Sequence, residues 1–447
     1  SRNHYNIMMS DTIVAPATPP GYGGISIVRI SGNLSTRLTK QICKRRSSFS
    51  HRRPTLSSVY NSDGEIIDNA VFTFFENPHS YTGEDVLEIS CHGNPIIVDQ
   101  IVSTICSFGA RLADPGEFTK RAFLNGKLDL VQAESVSKLI ESRSIEAANI
   151  NNKILSGSLS KKLNTIRESL AGVLAELEFE FDISENELLI PNLISKSHNI
   201  INNNILACKK LIASYVDGRL FNHGARVVIY GNPNVGKSTL LNALLGKDRA
   251  ITSEVPGTTR DTVDADIVLG GIPVTLIDTA GIRSASSSVE SAGIKRSYDE
   301  IKNADLLLNV VTSEGDVAEK VQIKNTLIVF NKIDLVAPSE KPSDIIPVSA
   351  LLGDGIAGLK NTIKERLISK NTSGSDIVLT TRRQEIAITG CKNSLSASLK
   401  YLNKDAPELE IVAFELRDSI NYIDALMGKT TVDDILNKVF SGFCVGK

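Results

Sequence analysis

The chain contains no tryptophan, and its aromatic share is only 5%. Proteins that grip single-stranded nucleic acid stack its bases on aromatic rings, so this scarcity argues against a base-stacking platform. Charge of one sign is also missing: 49 Lys and Arg stand against 51 Asp and Glu, a net charge of −2. Any contact with RNA must therefore use a local patch rather than a global basic field. No apolar run is long enough to span a bilayer. The first residues, "SRNHYNIMMSD", lack the apolar stretch of a signal peptide. The six cysteines (Cys43, Cys91, Cys106, Cys208, Cys391, Cys444) are scattered without a CxxC pair. That disfavours a disulfide framework or a zinc site and makes reduced thiols in a cytosol-like compartment the expectation.

What is present is a chain of 447 residues, 41% hydrophobic and 22% charged, as in globular proteins. That is too long for one core, and about three domains are expected. The first part, 9–126, reads as α+β: "GISIVRISG" and "AVFTFF" are strand-like runs bounded by turn signals such as "TPPGYGG", "NSDG" and "ENPHSYTG". Residues 127–220 turn helical, with Leu155, Leu159, Leu163, Ile166, Leu170, Val173, Leu174 and Leu177 recurring at steps of three and four. Residues 221–372 alternate strands and helices, with "RVVIYG", "IPVTLID", "ADLLLNVV", "NTLIVFNK" and "DIIPVSA" as strands. This alternation predicts a parallel sheet with helices on both faces. Residues 373–447 are helical again, so the α/β region reads as an insertion into an all-helical domain.

The insertion carries its chemistry in motifs. "GNPNVGKST", Gly231–Thr239, fits G-x-x-x-x-G-K-[ST] between a strand and a helix, which is the context a P-loop demands. Gly231 and Gly236 let the backbone wrap a phosphate, and the amides through Val235, Gly236 and Thr239 point at it. Lys237 would reach the β- and γ-phosphates, and Ser238 would bind Mg²⁺. "DTAG" (Asp278, Thr279, Ala280, Gly281) ends a strand; Asp278 would hold the Mg²⁺ shell and the Gly281 amide would sense the γ-phosphate. "NKID" begins with Asn331 and Lys332 and ends with Asp334, whose carboxylate can accept two parallel N–H bonds from guanine. GTP rather than ATP follows. Ser349, Ala350 and Leu351 would close over the base, and Thr258 and Thr259 in "PGTTRD" sit where a switch loop meets Mg²⁺ and the γ-phosphate. Ile282 follows "DTAG" where a water-orienting glutamine would be needed, so hydrolysis must recruit another group. The Asn234 side-chain oxygen could coordinate a monovalent cation beside the phosphates or make a loop-tip hydrogen bond; the residues leave both open.

With these motifs, and with "DTIVAPATPPGYGGISIVRISG", "SYTGEDVLEISCHG", "DPGEFTKRAFLNGKLDLVQAE" and the terminal "FCVGK", the chain resembles the MnmE (TrmE) family of tRNA-modification GTPases from Asp11 to Lys447. The resemblance implies an N-terminal α+β tetrahydrofolate-binding and dimerisation domain. It also implies an all-helical domain and a Ras-like P-loop GTPase domain inserted into it. It implies a homodimer in the cytoplasm, potassium-dependent dimerisation of the G domains, and a partnership with the FAD-dependent MnmG (GidA) protein. Together the two would place an aminomethyl or carboxymethylaminomethyl group on C5 of the tRNA wobble uridine. Carried onto this sequence, the family's K⁺ ligands fall on Asn234, the backbone of Ser253 and Val255, and Thr258, and its Mg²⁺ ligands on Ser238 and Thr259. The nucleotide-contacting segment runs through Ser253, Glu254, Val255, Pro256, Gly257, Thr258 and Thr259. The water-orienting acid falls on Glu290, which by itself reads as one solvated acid on a helix. Contacts to 5-formyl- or 5,10-methylene-tetrahydrofolate fall on Arg29, Glu88, Lys127 and Lys447; a strand-face arginine and a salt-bridged glutamate are the plainer readings. Asn94 replaces a usual glycine.

The tail "CVGK" is a poor prenylation signal, because Gly446 and Lys447 fall outside the usual pattern and no polybasic stretch precedes it. The final helix would instead deliver Cys444 and Lys447 to the folate site, where Cys444 is either a nucleophile or a small buried thiol. A ribosome-assembly GTPase would share the P-loop, "DTAG" and "NKID" but needs an RNA-binding appendage that is not evident. A membrane-anchored switch lacks its lipidation context.

Overall fold

The computed structural model describes residues 11–44, 49–183, 190–246, 264–278, 300–312, 325–335, 345–368, 377–430 and 433–446. They form two compact units: Ser1–Ser137 with Asp424–Lys447, and Lys138–Ile423.

In the first unit, β1 (Ile13–Pro16), β2 (Gly23–Ser31), α1 (Ser35–Cys43), β3 (Thr55–Tyr60), β4 (Ile66–Phe75), β5 (Val86–Gly93), α2 (Pro95–Ser107), β6 (Arg111–Leu112), α3 (Glu117–Leu124) and most of α4 (Leu130–Ile140) follow in order. The strands make one sheet in the order β3-β4-β5-β2-β1-β6. It is antiparallel except where β6 joins β1. Burial alternates along β4, so a period of two puts Ala70, Phe72 and Phe74 on one face. Those residues meet Leu38 and Ile42 of α1 and Ile101 and Ile105 of α2 in one core. Each fully buried leucine, isoleucine or phenylalanine among them contributes about 1.5–3 kcal/mol relative to exposure. Asn94 does not need a glycine's backbone: its φ is −123°, and its side chain accepts from the Ile96 amide as the N-cap of α2. Near the chain end, the helix Asp433–Phe440 packs Leu436, Phe440 and Phe443 onto Leu130 and Ala133. The C-terminal residues thus belong to the N-terminal unit.

The second unit holds α5 (Ile145–Leu155), α6 (Ser158–Ile183), α7 (Ile190–His223), β7 (Ala225–Gly231), α8 (Lys237–Leu245), β8 (Asp264–Leu269), β9 (Ile272–Asp278), β10 (Leu306–Val311), β11 (Thr326–Phe330), β12 (Ile345–Pro347), α9 (Ile356–Leu367), α10 (Arg382–Leu402) and most of α11 (Leu409–Met427). The expected apolar stripe is buried from Leu159 to Leu177 except at half-buried Leu174, but Leu155 belongs to a separate helix: Ser156 and Gly157 turn the chain between α5 and α6. Helices α7 and α10, which precede and follow the α/β segment, pack on each other, so the α/β segment is an insertion. Its sheet runs β12-β11-β10-β7-β9-β8. The expectation of a fully parallel sheet is corrected at one edge, where β8 is antiparallel to β9. The two glycines of "VLGGIP" make a two-residue turn, which can join only antiparallel neighbours. Every residue of β10 is buried, as a central parallel strand covered on both faces requires. On one face lie Leu240 and Leu244 of α8 with Leu359 and Ile363 of α9. On the other, Val228, Ile277 and Leu307 meet Ile301 and Ala304.

Candidate functional site

Strand β7 delivers Gly231 beside Val310 of β10, and the loop from Asn232 to Gly236 then turns into α8. Gly236 has φ 93°, and a Cβ there would lie 2.5 Å from Asn331 Nδ2, so only glycine closes this loop. Asn234 sits exposed at the loop tip with φ 66°, a left-handed conformation asparagine tolerates. Its side chain makes no hydrogen bond among the described residues, while its carbonyl accepts from Lys332 Nζ at 2.8 Å. Lys237 is 8% exposed and arches back to donate to the carbonyls of Gly231 (3.0 Å) and Asn232 (2.8 Å). Its ammonium is therefore held over the loop that wraps phosphate. Ser238, at the start of α8, donates to Asp278 Oδ2 at 2.7 Å. This joins a P-loop hydroxyl to a carboxylate at the end of β9, the oxygen pair a hard divalent cation takes. Thr239 is exposed on the first turn of the same helix, where unpaired amides and the helix dipole favour anions.

The residues expected to read the base come from the ends of β11 and β12. Asn331 is 2% exposed; its Nδ2 donates to the Val235 carbonyl at 2.8 Å and its Oδ1 accepts from the Ala350 amide at 3.0 Å. It thereby staples the P-loop to the loop carrying Ser349. Ser349 Oγ donates to Asp334 Oδ1 at 2.6 Å, which fixes an exposed carboxylate in orientation. Leu351 stands exposed next to it. The predicted residues Ser253, Glu254, Val255, Pro256, Gly257, Thr258, Thr259, Thr279, Ala280, Gly281, Glu290 and Lys447 lie outside the described residues.

A second polar cluster lies in the N-terminal unit. Arg29 on β2 and Glu88 on β5 are direct cross-strand partners. Arg29 Nε and Nη2 both lie 2.9 Å from Glu88 Oε1, so the plainer readings of these two residues hold together: a strand-face arginine salt-bridged to a glutamate. Glu88 Oε2 has no partner among the described residues. The Arg29 guanidinium lies 5.5 Å from the Tyr81 ring centre and 5.8 Å from that of Phe118, and Nη1 reaches the Gly446 carbonyl at 3.5 Å. Burial raises the Tyr81 phenol above its ordinary value, and its hydroxyl pairs with Thr119 Oγ1 at 2.8 Å. Lys127 donates to the Pro78 carbonyl at 2.7 Å and runs along Gly83. The Cys444 carbonyl accepts from the Gly116 amide at 3.3 Å, but its thiol is exposed, so the buried-thiol alternative is corrected.

The residues alone did not reveal what supports this cluster. Arg121 of α3, 4% exposed, binds Asp11 (2.6 Å), Glu117 (3.0 Å) and Glu84 (3.2 Å). Arg111 holds the same Glu117 and Asp11, each at 2.6 Å. The only sequence signal was Glu117 and Arg121 one helical turn apart, a spacing usually found on solvated faces.

Fold and site together define a P-loop GTPase domain carried within a helical domain and accompanied by an α+β unit. Residues 12–127 match the sequence family described as the N-terminus of the GTP-binding protein TrmE, and residues 130–444 match the MnmE helical domain. The chain belongs to the MnmE family of tRNA modification GTPases, and it is a GTP hydrolase. The tRNA modification GTPase MnmE of Pseudothermotoga lettingae is 38% identical, over 98% of this chain and 100% of the relative. That of Moorella thermoacetica is 39% identical with the same coverage. Among solved structures, the FeoB G domain of Methanococcus jannaschii aligns with 32% of this chain and 97% of its own length, at 25% identity and TM-score 0.25.

Proposed function

We propose that this chain hydrolyses GTP to drive modification of the tRNA wobble uridine at C5, acting as a cytoplasmic homodimer with an FAD-dependent partner of the MnmG (GidA) kind. The one-carbon unit would come from 5-formyl- or 5,10-methylene-tetrahydrofolate bound in the N-terminal unit. The observation that best supports this reading is the Arg29–Glu88 pair meeting the C-terminal tail at Gly446. A carboxylate with one free oxygen suits the paired N–H donors of a pterin edge, and arginine suits a carboxylate tail. Lys127 and Lys447 would complete the anion side, and exposed Cys444 would be available as a nucleophile. In this reading the domains run 9–126, 127–220, 221–372 and 373–447.

In the G domain, Lys237 would exchange its loop carbonyls for phosphate oxygens, and Asp334, oriented by Ser349, would accept from guanine. Ser238, with Asp278 behind it and Thr259 from the switch, would hold Mg²⁺. Asn234, whose side chain is uncommitted among the described residues, would hold K⁺ with Ser253, Val255 and Thr258. These cations would supply neutralisation of phosphate charge. Glu290 would accept a hydrogen bond from the attacking water, the job Ile282 cannot do.

The test is GTP turnover in matched potassium and sodium buffers. Potassium should accelerate turnover at least about tenfold, or ~1.4 kcal/mol of barrier. Asn234→Ala and Glu290→Ala should abolish that gain. Turnover indifferent to the cation would remove both residues from their roles. Binding of 5-formyl-tetrahydrofolate, lost in Glu88→Ala, tests the N-terminal site separately.

A further inference from the structure

We infer that the β8–β9 hairpin, seated at its turn on Glu146 and paired at Asp266 with Arg143, is the contact through which the nucleotide site moves the helical domain. By sequence, β8 begins just after the switch stretch "PGTTRD", and β9 ends at Asp278, the first residue of "DTAG". Asp264 pairs with Ile277, so the hairpin, about 20 Å long, carries at one end the residues that adjoin both segments in sequence. Its strands are hydrogen-bonded throughout, and Thr275 Oγ1 adds a cross-strand bond to Asp266 Oδ1 at 2.7 Å. At the other end Gly270 (φ 58°) and Gly271 (φ 86°) make the turn. A Cβ on Gly271 would collide with the Glu146 side chain, whose Oε2 would be 2.5 Å away. Glu146 lies in the first turn of α5, and Arg143 just before it pairs with Asp266 of β8 at 3.7 Å.

Another link between the G domain and the helices is tighter. Arg219 of α7 binds Asp305 Oδ1 at 2.7 Å, while the Arg226 amide binds its Oδ2 at 2.9 Å. Those bonds fix the base of the sheet to α7. The hairpin instead meets two long, exposed side chains, Glu146 at Gly271 and Arg143 at Asp266, that can follow it or release it. Helix α5 then passes the displacement on: Asn151, fully buried, donates to Asn222 of α7 at 2.6 Å, three residues before the start of β7, the strand that feeds the P-loop. Arg143 and Glu146 are positioning residues in this scheme and touch no nucleotide.

The experiment is amide hydrogen exchange on the full-length chain with GDP and with a non-hydrolysable GTP analogue. Exchange in residues 145–155 should differ between the two states by at least about fivefold. The Arg143→Ala/Glu146→Ala double variant should lose that difference while turning over GTP within about twofold of the parent chain. Gly271→Ala should perturb α5 exchange in the GDP state, and adding Glu146→Ala should return it toward the parent pattern. Exchange in α5 that ignores the nucleotide in the parent chain, or a difference that survives in the double variant, overturns the inference. Because the readout needs only GTP binding, a failure of the proposed tRNA chemistry would leave it standing.

Discussion

Replacing Asn331 with alanine removes a side chain that binds both the phosphate loop and the base loop. Two backbone groups lose their partner: the Val235 carbonyl, at 2.8 Å from Nδ2, and the Ala350 amide, at 3.0 Å from Oδ1. Both residues are buried, so neither group is readily rehydrated. Each orphaned group costs about 1–3 kcal/mol. The pair lies at the surface end of the sheet, where partial relaxation is open to it, so about 2–4 kcal/mol is the expected loss. Since nucleotide binding needs both loops in place, this translates to about 30- to 1000-fold weaker GDP binding. The assay is equilibrium titration with a fluorescent GDP, with far-ultraviolet circular dichroism showing that the sheet persists. Asn331→Asp keeps the acceptor for Ala350 but loses the donor to Val235, and it places a carboxylate against a carbonyl. It should bind no better than Asn331→Ala. An alanine variant that binds GDP within about threefold of the parent would refute the staple, because one such hydrogen bond alone exceeds that factor.

Arg121→Met should destabilise the N-terminal unit by about 3 kcal/mol, since it leaves Asp11, Glu84 and Glu117 without their common buried cation, and the first thermal transition should fall by about 10 °C. Burial pushes the Glu117 carboxyl up, but hydrogen bonds from Arg111, the Asp114 amide and Arg121 outweigh it and hold it below its ordinary value. A lowered folded value means that this stability is present above the ordinary 4.5 and is lost as pH falls through the folded value; melting curves from about pH 6 to 3 should show a shallower fall in the variant. In native protein near pH 8, iodoacetamide should modify Cys444 first, while Cys91, pushed up to about 11 by burial and the Asp68 carboxylate, should react only in denaturant along with Cys208 and Cys391. Peptide mass mapping checks this, and an adduct on Cys208 in the native chain would contradict its burial.

The phosphate loop was legible because its chemistry is local. Glycine at a left-handed position, lysine at the helix start and serine beside it are properties of nine consecutive residues, and they need only the strand before and the helix after. The strands of the inserted sheet were legible for a similar reason: a run such as "LLLNVV" admits no exposed face. The antiparallel edge strand was not, because β8 alternates only weakly and its place depends on the Gly270–Gly271 turn. The break at Gly157 was hidden because the apolar period of α6 can be extended backward to Leu155 without a fault in spacing.

What the sequence by itself determined is whatever a short segment can specify: a guanine-nucleotide site, an α/β insertion within helical flanks, and a family likeness running to the last residue. What only the tertiary structure decided is which distant residues share a site. Arg29 and Glu88 stand 59 positions apart and become partners only through the register of β2 on β5. Gly446 reaches Arg29 across 417 positions because Phe440 and Phe443 pack onto Leu130 and fix the tail there. Arg121 reads as a solvated charge until folding buries it among three acids. Local pattern sets local backbone, whereas burial and pairing are set by which surfaces the whole chain must remove from water together.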